Sequence, residues 1–237
     1  MRLSTAYYSE IGGRKTNEDA QQIVESGGTT LAIVADGLGG HADGEIASQA
    51  VIKTITSALS HKEVAFFDLK EAIEAANTLL AQDKAYGGMR STVAVLWMNS
   101  SGALAANVGD TRIYQFRDGR IEYQSRDHTL LQLEVISGEI DQSSVRKNPE
   151  RNCLLRALGA NEEVKADIVK ISVLPGDAFL LCSDGFWDNI VEEEMIDALA
   201  DSSMATDWLK RMRRIANSRM SENADNHTAI AIRLGDR

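Results

Sequence analysis

Two apolar runs in this chain end in the same way. Leu31-Ala-Ile-Val-Ala-Asp36-Gly37 and Ala178-Phe-Leu-Leu-Cys-Ser-Asp184-Gly185 carry no charge until a terminal aspartate, and each aspartate is followed by glycine. An uncharged run of this length reads as a buried strand. A buried strand that stops at aspartate delivers a carboxylate to the rim of a core. The glycine lets the backbone approach a ligand closely. Two such strands, about 150 residues apart, predict two carboxylates at one site.

A third Asp-Gly supplies a control. Around Asp118-Gly119 the flanks Arg112-Ile-Tyr-Gln-Phe-Arg and Arg120-Ile-Glu-Tyr-Gln alternate apolar and polar residues. That pattern predicts a half-exposed hairpin closed by an Asp-Gly turn, so Asp118 is assigned a structural role.

The 237 residues are compatible with one large domain or two small ones. No linker composition marks a boundary, so residues 1–237 are expected to form a single catalytic domain with a flap subdomain at about 130–152. The formal charge of −10 argues against nucleic acid and anionic membrane as partners. Cys153 and Cys182 form no Cys-x-x-Cys pair, which removes zinc and redox readings. The N-terminal stretch has no signal-peptide apolar region, and no run approaches membrane-spanning length. A cytoplasmic protein without membrane insertion is expected.

Strands are predicted at residues 2–8, 20–25, 31–35, 91–98, 103–108, 164–173, 178–183 and 226–234, besides the Asp118 hairpin. Helical spacing covers residues 47–58 and 69–80, with Asp68 as an N-cap and Gly87-Gly88 as a stop. A short helix is predicted at 130–136, and two more at 191–200 and 204–220. Residues 137–152 are polar and aperiodic and read as an exposed excursion. Strands before, between and after helical pairs make an α+β order. A four-layer αββα sandwich satisfies it, with two antiparallel sheets flanked by helices.

The acidic residues fall at strand ends. Glu18 and Asp19 begin one strand, Asp36, Asp110 and Asp184 end others, and Asp225 precedes the last. Carboxylates sharing one rim repel unless a cation neutralises them. Mg²⁺ and Mn²⁺ take oxygen ligands, which suits a chain whose four histidines and two cysteines are scattered. Two such ions would activate a water and stabilise in-line displacement at phosphorus. Arg14, one short loop before Glu18, offers a planar fork for phosphate oxygens.

In order and spacing, Arg14-x-x-Asn17-Glu18-Asp19, Asp36-Gly-Leu-Gly-Gly-His41, Gly109-Asp110-Thr-Arg112, Asp127-His128, Cys182-Ser-Asp184-Gly185 and Asp225-Asn226 resemble one family. It is the bacterial metal-dependent protein Ser/Thr phosphatases of the PPM (type 2C) family. The resemblance runs from about Tyr7 to Leu234. It implies a phosphatase that hydrolyses phosphoserine and phosphothreonine in a protein substrate by attack of a metal-bridging hydroxide, opposing a cognate Ser/Thr kinase. It implies two Mn²⁺ or Mg²⁺ ions and room for a third. Asp36 would bridge the two metals, the Gly37 carbonyl would ligate one, and Asp184 and Asp225 the other. Glu18 and Asp19 would act on metal-held waters or the second metal, and Asp110 with Asp184 on a third metal. Arg14 would bind the substrate phosphate. His41 stands three residues beyond the position where one branch of the family places a histidine general acid, and it is carried as a catalytic candidate. Asn148-Pro149 replaces the flap's usual His-Pro.

Other candidates read as structural. His128 is expected as a hydrogen-bonded loop residue, His61 as solvent-facing, and His227 as packing. Lys210, Arg211, Arg213 and Arg214, interleaved with Trp208, Leu209, Met212 and Ile215, read as a solvated helix face over a core stripe. A monomer is expected. The competing reading is a catalytically silent binding module on the same fold, which loss of a core carboxylate would favour. Asp36, Asp110, Asp184 and Asp225 are all present. A two-metal nuclease is disfavoured by the acidic charge.

Overall fold

The computed structural model describes residues 3–39, 42–59, 64–82 and 88–235. Its strands are β1 (Leu3–Glu10), β2 (Asp19–Ser26), β3 (Thr29–Leu38), β4 (Arg90–Ser91), β5 (Val93–Asn99), β6 (Gly102–Val108), β7 (Arg112–Arg117), β8 (Arg120–Gln124), β9 (Asp167–Ile171), β10 (Ala178–Cys182) and β11 (His227–Leu234). Its helices are α1 (Ala42–Leu59), α2 (Phe66–Gln82), α3 (Leu130–Ser137), α4 (Gln142–Val145), α5 (Asp184–Trp187), α6 (Glu192–Ala200) and α7 (Ala205–Asn217). One sheet runs β1-β11-β10-β7-β8, the other β2-β3-β5-β6-β9 with β4 paired onto β3, and every pairing is antiparallel.

The uncharged runs are explained by the two-residue period of a strand. In β3, Leu31, Ile33 and Ala35 pack under α1 and α2, while Ala32 and Val34 face the other sheet. In β10, Ala178, Leu180 and Cys182 pack beneath α5, α6 and α7, while Phe179 and Leu181 face back across the sandwich. Both faces of both strands are buried, so alternation disappears from the sequence. The layers are therefore helix, sheet, sheet, helix, as expected from the element order.

Most differences from expectation are local. β3 does not stop at Asp36: it continues through Gly37 to Leu38, where its partner changes from β5 to β4. Asp184 opens the one-turn helix α5, which four residues of apolar and glycine sequence do not announce. Asp68 is not the N-cap of α2; it lies in the first turn and accepts the Ala65 N–H from there (2.9 Å). The Asp118 hairpin is as predicted, with φ of 50° at Asp118 and 70° at Gly119, but β7 is buried throughout apart from Arg117. On α7 the basic residues are exposed, and Trp208, Leu209 and Met212 are buried, as expected. His41, His61 and Gly87 lie outside the described residues.

Candidate metal centre and active site

β2 and β3 pair so that Asp19 stands opposite Asp36. Like charges directly opposite each other destabilise a sheet, so this register calls for a compensating partner. The same end of the sandwich gathers Asp110, Asp184 and Asp225. With Arg14, Glu18, Asp36 and Gly37 these three line a cleft of about 550 Å³. Burial raises the carboxyl of Asp36 well above its ordinary range, and the charges of Asp19, Asp184 and Asp110 raise it further. Asp184 is raised by burial and then by Asp110 and Asp225. Burial, then Asp127, pushes Asp110 up to about 7. Asp19 lies behind the cleft wall and is raised to about 6, again first by burial.

The backbone holding these carboxylates is crossed tightly. A β-carbon at Gly37 would meet the Gly44 carbonyl at 1.8 Å, and one at Gly185 would meet the Asn226 carbonyl at 2.1 Å. Both Asp-Gly glycines therefore serve close approach of chain to chain, where the sequence suggested close approach to a ligand. Asp36 is gripped through its backbone: its N–H donates to Thr92 Oγ1 (3.1 Å) and its C=O accepts from Thr92 N–H (2.8 Å). Asn226 ties the Arg14 loop down. Its Oδ1 accepts the Glu18 N–H (2.8 Å), and its Nδ2 donates to the carbonyls of Ile11 and Thr16. Ser183 Oγ donates to Asp19 (2.7 Å) and fixes its carboxylate.

The donor set is all oxygen and acidic. Among the described residues, no group of three carboxylate, imidazole or thiolate side chains closes into a preformed cation cage. Mg²⁺ does not require one, because it keeps several waters and binds through one or two carboxylates. One Asp19 oxygen is buried without a hydrogen-bond partner, and so is one oxygen of Asp188. These orphaned acceptors and the mutually raised carboxylates fit hard divalent cations. At the rim, Arg14 Nη2 donates to Asp225 (2.7 Å) in an exposed pair.

A different charged cluster backs this rim. Arg112 is buried and donates through Nε and Nη2 to Asp127 (2.9 and 2.6 Å) and through Nη1 to Tyr114 Oη (3.0 Å). Its guanidinium lies 3.4 Å from the centroid of the Trp187 ring, and Trp187 Nε1 donates to the Asp110 carbonyl (2.9 Å). His128 Nδ1 accepts the Gly109 N–H (3.1 Å), and Nε2 lies between Arg156 Nη1 (3.2 Å) and Asp167 (3.4 Å). Burial holds this imidazole below its usual range. His128 is the hydrogen-bonded loop residue expected. His227 is buried against Tyr8 and Glu10, which agrees with a packing role.

Residues 8–226 match the model of a family described as protein phosphatase 2C. The chain belongs to that family. It is 31% identical to the serine/threonine phosphatase stp of Listeria welshimeri, over 93% of this chain and 88% of that one. The crystal structure of the Mycobacterium tuberculosis serine/threonine phosphatase PstP/Ppp superimposes with a TM-score of 0.86 at 30% identity, covering 98% of this chain and 99% of that one. A structure of the PstP catalytic domain in complex with two manganese ions gives a TM-score of 0.83 at 29% identity, covering 99% of each chain.

The cleft brings together Arg14, Glu18, Asp36, Gly37, Asp110, Asp184 and Asp225, with Asp19 immediately behind. Sequence reasoning passed over Asp188. It caps the C-terminal end of α5 one turn after Asp184, the i, i+4 spacing that puts two side chains on one helix face. The roles of Ser183 and Asn226 were also missed. Their partners are 164 and 208 residues away, and no local pattern records such contacts.

Proposed function

We infer that this chain is a phosphoprotein phosphatase that hydrolyses phosphoserine and phosphothreonine esters with the help of Mn²⁺ or Mg²⁺. One observation carries the reading. Four aspartates from β3, the end of β6, α5 and the segment before β11 converge on a cleft with an arginine at its mouth. The family, the Ser/Thr phosphatase relatives and the manganese complex of a similar domain support it.

Asp36, the Gly37 carbonyl, Asp184 and Asp225 would hold two cations, with Glu18 and Asp19 steadying the waters around them. Asp110 and Asp184 would hold a third. When bound, such ions supply Lewis acidity to phosphoryl oxygens and acidify a water for attack at phosphorus. The protein's own part is to hold these carboxylates close: Thr92 and Asn226 fix the backbone at Asp36 and Glu18, and Ser183 fixes the Asp19 carboxylate. Arg14 receives the phosphate. Its pair with Asp225 is exposed and weak, so the guanidinium is easily given over to a stronger anion. Residues 130–152 form the flap beside the cleft, to which Asn152 contributes. We place the enzyme in the cytoplasm as a monomer that reverses a Ser/Thr kinase. Among the described residues, no helix is long and apolar enough to cross a membrane.

The test is hydrolysis of a phosphothreonine peptide and of p-nitrophenyl phosphate with Mn²⁺, Mg²⁺ or EDTA, alongside Asp36→Asn. Turnover that needs the metal and vanishes in the variant is expected. A folded, metal-loaded wild type without turnover would leave a binding module as the reading.

A further inference from the structure

The segment between β8 and β9 carries an apolar face that stays exposed among the described residues. Helix α3 is a finished element. Thr129 Oγ1 accepts the Gln132 N–H at its start, and Gly138 closes its end in the left-handed conformation. Of its apolar side chains, Leu131 alone is buried. Leu130, Leu133 and Ile136, spaced three apart and so on one side of the helix, are 36%, 54% and 61% exposed. Leu155 adds a fourth exposed apolar side chain at 47%.

This face is continuous with the catalytic cleft. Leu154, which lines the cleft, pairs with Thr129 immediately before α3. The Leu130 N–H donates to the Cys153 carbonyl (3.0 Å), and the Leu155 N–H to the His128 carbonyl (2.8 Å). A chain that leaves the cleft over Leu154 meets the start of the stripe. From Leu130 to Ile136 the helix rises about 9 Å, which matches roughly three residues of extended peptide.

Charge points to the same occupant. Four arginines lie around the mouth, and each already has a carboxylate partner: Arg14 with Asp225, Arg146 with Glu192, Arg151 with Asp188 and Arg219 with Glu194. With Arg14 given over to the phosphate, an acidic flank would compete with Glu192, Asp188 or Glu194 for the other three arginines, or turn to Lys15 at the cleft edge. An apolar flank displaces only water.

We propose that the exposed face of Leu130, Leu133, Ile136 and Leu155 is a substrate-docking surface that selects phosphoserine or phosphothreonine flanked within a few residues by bulky apolar side chains. The proposal rests on the phosphatase reading of the neighbouring cleft. Covering one or two half-exposed leucines accounts for about a ten-fold preference in kcat/KM.

The experiment compares two phosphothreonine peptides of equal length. One has Leu and Phe around the phosphorylated residue, the other Glu and Asp. Wild type, Leu133→Met and Leu133→Glu/Ile136→Glu are assayed on both, and on p-nitrophenyl phosphate. The wild type and Leu133→Met should favour the apolar peptide about ten-fold. The double variant should lose the preference through KM, with turnover of p-nitrophenyl phosphate unchanged. Equal kcat/KM for both peptides in the wild type, or a preference that survives in the double variant, overturns the proposal. Sedimentation of wild type and double variant covers the other occupant: a dimer that the substitutions dissociate would assign the face to a second copy and also overturn it. No hydrolysis of p-nitrophenyl phosphate by the wild type would strike the phosphatase reading itself, and so is told apart from these results.

Discussion

Two buried clusters of charge lie side by side at one end of this sandwich, and they are built on opposite plans. Around Arg112, every charge has a partner: Asp127 takes two of its N–H groups, Tyr114 a third, and Arg146 answers Glu192 nearby. At the rim, Asp19, Asp36, Asp110 and Asp184 face one another, and each carboxyl is raised by burial and by like charge. The closed cluster holds a shape. The open one is incomplete as protein alone, and its incompleteness is what suits it to cations. Trp187 joins them, stacking on Arg112 and donating to the Asp110 backbone. The rim's geometry is thereby fixed by a neighbour that needs nothing from outside.

The contrast can be broken by substitution. Asp127→Ala strips the buried Arg112 of its bidentate partner, leaving Tyr114 and the longer Glu192 contact (3.6 Å), and should lower stability by about 3 kcal/mol in chemical denaturation. A loss under about 1 kcal/mol would mean that the cluster is not closed. At the rim, Asp36→Asn should reduce metal-dependent turnover by about 10³-fold, several kcal/mol of transition-state stabilisation. The same variant should melt no lower than wild type in EDTA, because it removes a repelled charge. A variant that loses stability in EDTA would place Asp36 with the closed cluster instead. Arg14→Gln removes a charge-assisted contact and should lower kcat/KM for phosphopeptide by about 10–100-fold, with folding unaffected.

The smallest expected effect sharpens the contrast by pH. Asp19 and Asp110 sit at about 6 and about 7 in the folded, metal-free protein against 3.8 when unconstrained. Between those values the folded state keeps protons that the unfolded chain has released. Stability from these groups is therefore present below pH 4 and is lost as pH rises toward 7. Cations that replace the protons cancel the loss. The melting temperature gained on adding Mn²⁺ should be a few degrees larger at pH 8 than at pH 5. Equal gains at both would show that the rim is not strained by its own charge.

What could be read from the sequence follows from range. The uncharged runs ending at Asp36 and Asp184 are local records of strands buried on both faces, and the sandwich places them so. The Asp118-Gly119 turn is equally local. The passage of β3 through Asp36 to a new partner depends on β4, more than 50 residues on, and the two residues of β4 carry no strand pattern. Asp188 was missed because α5 is a single turn, too short for periodicity to show. The charge balance of Arg112 was invisible because its partners come from β7, the loop after β8 and α6.

Asn226 has a consequence in the timing of synthesis. Its side chain holds the Arg14 loop across a span of 208 residues, and the strand that follows it stands between β1 and β10. At about 5–20 residues per second, a ribosome needs roughly 10–40 s to travel from Glu18 to that asparagine. Through that interval the nascent chain has Arg14, Asp36, Asp110 and then Asp184 in hand but not the side chain that ties the Arg14 loop to the others. A phosphatase built this way cannot act on its neighbours while it is still being made.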